Sequence, residues 1–174
     1  EIEAMGGEAF ALAADVSQRP DAEMLVDETV ARFGSIDNLD NNAGIWKSSP
    51  IGEMSDREWE EMLAVNLTGT FNCTRAAVAP MKEARSGRII NISSTAGQRG
   101  EAFCSHYAAT KGAVISFTKS LAAELAPHGI VCNADLADPG LDAALKAQKQ
   151  FPNLRGVRQM LYWDSPTVRQ AALR

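Results

Sequence analysis

Tyr107 and Lys111 stand four residues apart in Tyr107-Ala108-Ala109-Thr110-Lys111. On a helix that spacing puts both side chains on one face. A phenol has a reference pKa of about 10 and exchanges protons poorly at neutral pH. A neighbouring ammonium favours the phenolate. At ~4 Å and an effective dielectric of about 20, the attraction is about 4 kcal/mol before desolvation. An interaction of that size brings a phenol toward the pH at which general acid–base catalysis works. Ser94 stands thirteen residues before the tyrosine, at the end of an apolar run. There its hydroxyl can meet the same substrate oxygen. Ser93 is the alternative, because strand neighbours point to opposite faces.

A Tyr-x-x-x-Lys pair by itself describes many solvated helix faces. Further polar groups accompany this one. Asn41-Asn42-Ala43-Gly44 ends another strand candidate, and Asn66 lies within Val65-Asn66-Leu67-Thr68-Gly69-Thr70. Each has a purely local reading. The first is a strand-to-loop turn with Gly44 as a permissive backbone, and Asn66 is a helix-interior residue with a local hydrogen bond. Asp15, in Asp15-Val16-Ser17, reads as a turn cap. His106 adjoins Tyr107, but adjacent helix positions do not face each other, so it reads as a bystander. His128 falls in a surface turn. Trp46 and the residues around Phe103 and Cys104 are placed to line a cleft, whereas Trp59 reads as a packing residue.

The elements that must position these residues alternate. Glu1 to Met5 reads as the end of a helix that Gly6-Gly7 terminates. Ala9 to Ala14 reads as a buried strand, and a helix follows from about Pro20 to Phe33, ended by Gly34. Ile36 to Asn41 is the next strand. A long helix runs from Ser55, an N-cap with Glu58 three residues on, to about Lys82. Arg88 to Ser93 is a strand, about Ser105 to Leu125 a helix, and Ile130 begins another strand. Ser165-Pro166 opens a last helix. Alternating helices and mostly apolar strands predict an α/β fold, a doubly wound parallel sheet. Its ligand crevice lies beyond the strands' carboxyl ends.

In order and spacing, these motifs resemble the short-chain dehydrogenase/reductase family over most of residues 1–134. The resemblance implies a Rossmann-like sheet and an NAD- or NADP-dependent oxidoreductase interconverting a secondary alcohol and a ketone. It implies Tyr107 as the acid/base and Lys111 as the group that lowers its pKa and holds the nicotinamide ribose. Ser94 orients the reacting oxygen, and Asn66 supports a water-mediated proton path. Asp15 and Val16 contact the adenine, and Asn42, Ala43 and Gly44 line the cofactor together with Pro139 and Gly140. The complete enzymes of the family associate, chiefly through the long helices, so a homodimer or homotetramer is expected.

The resemblance has departures. The family's T-G-x-x-x-G-x-G turn, which takes the cofactor pyrophosphate at a helix N-terminus, is not in this sequence. The expectation is therefore one Rossmann-like dehydrogenase domain over 1–174, incomplete at both ends, that binds NAD(P) poorly alone. The residue choosing NAD or NADP cannot be read. Asp40 stands where the family has an apolar residue, and a carboxylate enclosed in a parallel strand is costly. Pro139-Gly140 comes two residues later than usual after Asn133, with Asp135 at an apolar position. Residues 135–164 are divergent, so the substrate stays unidentified.

Composition agrees with a soluble enzyme. Of 174 residues, 45% are hydrophobic and 22% charged, and the net charge is -5. That balance offers no broad basic face for nucleic acid or anionic lipid. No apolar run approaches the ~20 residues of a membrane span, and a cytoplasmic protein is expected. Cys73, Cys104 and Cys132, at spacings of 31 and 28, fit no metal motif and read as reduced, packed thiols. Two readings of another class stand beside the enzyme: an inactive remnant, and a non-catalytic partner that self-associates through its helices.

Overall fold

Three strands that helices separate in sequence lie side by side in a parallel sheet. The computed structural model describes residues 7–136 and 171–172. Strands β2 (Asn38–Asn41), β3 (Gly87–Ser93) and β4 (Ile130–Leu136) hydrogen-bond in that order, and both pairings are parallel. β1 (Phe10–Ala11) is apart from them and pairs antiparallel with β5 (Ala171–Ala172). This corrects the expected buried strand over 9–14: only two residues are extended, and Ala11 and Ala13 are exposed. The run is alanine-rich, and alanine is a weak strand former.

Helix α1 (Arg19–Phe33) starts with proline in its first turn and ends at Gly34 in the left-handed conformation, φ 80°. Thr29 and Val26 are buried, with Ala22 wholly so. α2 (Asp56–Leu63) opens on a complete capping box between Ser55 and Glu58. It runs through a π-helical stretch, Ala64–Thr68, into α3 (Gly69–Ala84). The expected single helix over 55–82 is therefore interrupted, and the wide turn falls on Asn66. π turns inside helices frequently mark functional sites. α4 (Thr95–Arg99), too short to show any period in sequence, precedes α5 (Ser105–Leu125).

The core gathers Val16, Val26, Leu39, Ala77, Met81, Ile89, Leu121, Leu125 and Ile130 between the helices and the sheet. Burying a side chain such as Leu125 or Ile130 contributes about 1.5–3 kcal/mol. Cys73, Cys104 and Cys132 are buried and are not joined in a disulfide. Burial raises the thiols of Cys73 and Cys132 to about 11, with Glu124 adding to the effect at Cys132. A buried polar chain crosses the layers. Asn41 Nδ2 donates to Thr74 Oγ1 on α3 at 3.0 Å and to Asn91 Oδ1 on β3 at 2.8 Å. Asn91 Nδ2 donates to Thr118 Oγ1 on α5 at 2.9 Å. These amides fix strand register as well as helix position.

Asp40 is in register with Ile90 and only partly buried. Among the described residues β2 has a hydrogen-bonded neighbour on one side, yet Asp40 Oδ1 is buried. The expected elements at Glu1–Met5 and Ser165-Pro166, and the divergent stretch from 137 onward, lie outside the described residues.

Candidate active site

Everything converges on the carboxyl end of β3. The strand ends at Ser93, and Ser94 caps α4 by accepting a hydrogen bond from Ala96 N at 3.2 Å. α4 then lies across α5. A Cβ on Gly97 would come within 2.5 Å of the Lys111 carbonyl carbon and 2.6 Å of Gly112 N. Only a residue without a side chain allows that approach. Ser93 Oγ donates to the Lys111 carbonyl at 2.8 Å. The two serines thus divide the work: Ser93, 1% exposed, ties the strand to the helix, while Ser94 stands partly exposed at the strand's end.

Tyr107 and Lys111 share the inner face of α5, as their spacing predicts, and both are buried. The Lys111 ammonium donates to Ile92 O at 2.7 Å and lies 5.8 Å from the centre of the Tyr107 ring. Burial pushes this ammonium down to about 8. Tyr107 packs with Met62, Ala96 and Cys104, and Ile45 and Ala108 lean on the same cluster.

Asn66 faces this group from the π turn. Its amide is fully used: Oδ1 accepts from Ile45 N at 2.8 Å, and Nδ2 donates to Ile45 O at 2.9 Å. Nδ2 also approaches Met62 Sδ and Thr110 Oγ1. The loop after β2 is thereby drawn toward α5. Gly44 lies between the two polar groups, where a Cβ would sit 3.3 Å from Asn66 Oδ1 and 3.6 Å from Lys111 Nζ. The missing side chain leaves a narrow polar cradle about as wide as a methyl group.

The remaining candidates divide. Asn42 is exposed beside the cradle, and Ala43 packs against the core. Val16 turns its side chain into the core instead of a cleft, with a Cβ on Gly69 coming within 2.7 Å of it. Its carbonyl and that of Ser17 accept from Asn72 Nδ2 at 3.1 and 3.2 Å. Asp15 Oδ1 accepts from Ser17 N at 2.9 Å, the local turn cap that is its simplest reading. Pro139 and Gly140 lie outside the described residues. His106 is 1% exposed, and neither ring nitrogen has a hydrogen-bond partner among the described residues. Trp59, expected to pack, is 41% exposed, while Met62 on the same helix is 1% exposed. Sequence reasoning missed Gly97, Gly112 and the holding bond of Ser93. The signal for the glycines was their sequence placement, one after Ser94 and one after Lys111. Among the described residues no cluster of histidine, cysteine and carboxylates could hold a metal.

The parallel sheet and the buried tyrosine–lysine pair at a strand end define a Rossmann-like site. The family model for short chain dehydrogenases matches residues 1–148, and the chain belongs to that family. It is 43% identical over 134 residues to the 3-oxoacyl-[acyl-carrier-protein] reductase FabG of Staphylococcus aureus, covering 77% of this chain and 54% of that protein. The Staphylococcus epidermidis protein of the same name is 42% identical over 77% of this chain and 55% of its own length. A 3-oxoacyl-[acyl-carrier-protein] reductase of Synechocystis is 43% identical over 77% and 54%. The chain therefore spans about half the length of the curated relatives it matches.

Proposed function

We propose that this chain is the catalytic part of an NAD(P)-dependent oxidoreductase that interconverts a secondary alcohol and a ketone, with Tyr107 as acid/base. The observation that carries the reading is the buried pair of Tyr107 and the Lys111 ammonium, beside the cradle at Gly44. Family membership supports the nicotinamide cofactor, and the preference between NAD and NADP stays open.

When bound, the nicotinamide supplies or takes up the hydride. Tyr107 gives its phenolic proton to the carbonyl oxygen during reduction and takes it back during oxidation. The Lys111 ammonium stabilises the phenolate left behind. Ser94 donates to the same oxygen, and Lys111 and Gly44 provide the place for the ribose. Asn66, whose side chain is committed to Ile45, acts by holding the Gly44 loop. The cofactor-lining roles of Asn42 and Ala43 fit this loop. Those of Asp15 and Val16 rest on main-chain edges, since Val16 points inward.

The relatives' names support a 3-oxoacyl thioester as one substrate class. We further propose a single domain and a cytoplasmic location. No helix among the described residues is long and apolar enough to cross a membrane. Self-association would use the outer faces of α3 and α5, where Phe71 is 42% exposed and meets Phe117 edge-on at 6.5 Å.

The test is a hydride-transfer assay on the full-length protein, with NADH and NADPH in turn and a 3-oxoacyl thioester or simple ketone as acceptor. Turnover with at least one cofactor is expected. No turnover with either, in folded protein, would leave the inactive-remnant reading standing instead.

A further inference from the structure

We propose that Asn72 is a positioning residue for the cofactor: from α3 it fixes the Asp15–Ser17 turn, and so sets the affinity for the adenosine half of the nicotinamide dinucleotide while leaving hydride transfer alone. The inference rests on the oxidoreductase reading above. Asn72 is 4% exposed, and none of the catalytic or cofactor roles assigned above uses it. A polar side chain so buried must be accounted for by its hydrogen bonds.

The turn satisfies its amides locally. Asp15 N donates to Asp21 Oδ2 at 2.8 Å, and Ser17 N to Asp15 Oδ1 at 2.9 Å. Gln18 N donates to Asp15 O at 2.9 Å. The next two carbonyls are met from α3 instead. Asn72 Nδ2 donates to Val16 O at 3.1 Å and to Ser17 O at 3.2 Å. Its Oδ1 accepts from Arg75 Nη2 at 3.3 Å. A guanidinium can only donate and a carbonyl can only accept, so chemistry fixes which way this amide points.

Gly69, three residues earlier on the same helix face, brings the turn still closer. A Cβ there would come within 2.7 Å of Val16 Cγ2 and 3.5 Å of the Val16 carbonyl carbon. The docking ties the turn to the rest of the site. α3 continues from the π turn whose Asn66 holds Ile45. One continuous helical unit therefore carries two loops, residues 15–17 through Asn72 and residues 43–45 through Asn66. Val16 and Ala43, one from each loop, border a single narrow gap with Gly69 and Thr70. A dinucleotide reaching from Lys111 to the exposed Asp15 needs that spacing held constant. Its adenosine half does not react. Contacts to that half therefore act on the ground state and the transition state alike, and their loss raises KM with kcat unchanged.

The experiment titrates the full-length protein calorimetrically with NADH or NADPH, whichever it uses, and with ADP-ribose (its 2′-phosphate where the cofactor is NADPH). Asn72→Leu keeps the volume and removes both bonds to the turn. It should weaken the whole cofactor and the ADP-ribose fragment by the same factor, about tenfold. In turnover, cofactor KM should rise to match, while kcat and the KM for the ketone stay within about twofold. Gly69→Ala displaces the turn with Asn72 intact, and should give the same pattern even where Asn72→Leu does not fold. Thr118→Val removes a buried hydrogen bond elsewhere, the one from Asn91, and should leave both affinities unchanged. Wild-type affinities in the α3 variants overturn the proposal and leave the oxidoreductase reading intact. So does a loss for the whole cofactor that ADP-ribose does not share, or a fall in kcat as large as the loss of affinity. An equal loss in Thr118→Val overturns it too, by showing that general destabilisation is the cause. A wild type that neither binds nor oxidises NADH or NADPH removes the oxidoreductase reading and the positioning role with it.

Discussion

Asn66 holds Ile45 by both ends of its backbone, accepting from the amide at 2.8 Å and donating to the carbonyl at 2.9 Å. A side-chain amide used this way imitates a strand neighbour. It docks the Gly44 loop on the π turn between α2 and α3. Asn66→Ala leaves two partly buried backbone groups without their partners, at about 1–3 kcal/mol for an unsatisfied group. A loss of about 2–3 kcal/mol in denaturant unfolding is expected. Asn66→Asp keeps the acceptor and loses the donor, and should fail to restore stability. A change below about 0.5 kcal/mol, the usual size for a surface site, would contradict this account of the loop.

Gly97→Ala should be among the most damaging small substitutions. The added methyl would meet Lys111 and Gly112 backbone at 2.5 and 2.6 Å, with no flexible side chain to give way. Overpacking of this kind costs about 1–3 kcal/mol. Because the clash lies at Lys111, kcat should fall as well. Wild-type unfolding and activity in this variant would mean that α4 and α5 separate easily.

The pH dependence of stability follows from Lys111. Its folded pKa is lowered by burial to about 8 from the ordinary 10.5 of a lysine. Folding therefore disfavours its proton. The cost is fully present below pH 8, is relieved as pH rises between the two values, and is absent above them. It amounts to roughly 3 kcal/mol at ~1.4 kcal/mol per pKa unit. Lys111→Met removes the titrating group. The wild type should therefore gain on this variant by up to that amount as pH rises from about 8 to about 10, measured by chemical unfolding without cofactor. A difference independent of pH would contradict the burial of the charge.

Much of this arrangement was legible in the sequence because it rests on short-range periodicity. The i, i+4 spacing of Tyr107 and Lys111 put both on the buried face of α5, whose limits, Ser105–Leu125, matched the expectation. The Ser55–Glu58 capping box and the Gly34 stop were equally local. What was hidden depends on tertiary contact. The π turn at Asn66 leaves no mark on hydrophobic spacing, and α4 is too short to have a period. The resemblance favours Ser94 over Ser93, whereas the bond from Ser93 to the Lys111 carbonyl depends on α5 approaching the strand there. Val16, which the resemblance places at the adenine, has its side chain in the core, where the glycine at position 69 makes room for it across the fold.

Assembly should depend on Phe71. Its ring sits against Phe117 and under the Arg75 guanidinium at 4.7 Å, on the outer side of α3. Placed in a symmetric interface, each such ring meets its own copy or a neighbour of it. Phe71→Asp should convert the associated full-length protein to a monomer by light scattering. A wild type that is monomeric at high micromolar concentration would contradict the proposed interface.

The central claim is that Tyr107 transfers the proton while the cofactor carries the hydride. Tyr107→Phe tests it most directly, because phenylalanine keeps the ring that packs with Met62, Ala96 and Cys104 and removes only the hydroxyl. Ketone reduction by the full-length variant, with the preferred nicotinamide cofactor, should fall by about 10²–10⁴-fold. Cofactor affinity, measured by calorimetric titration, should change by less than about tenfold, or 1.4 kcal/mol. Turnover comparable to wild type in Tyr107→Phe would contradict the mechanism outright.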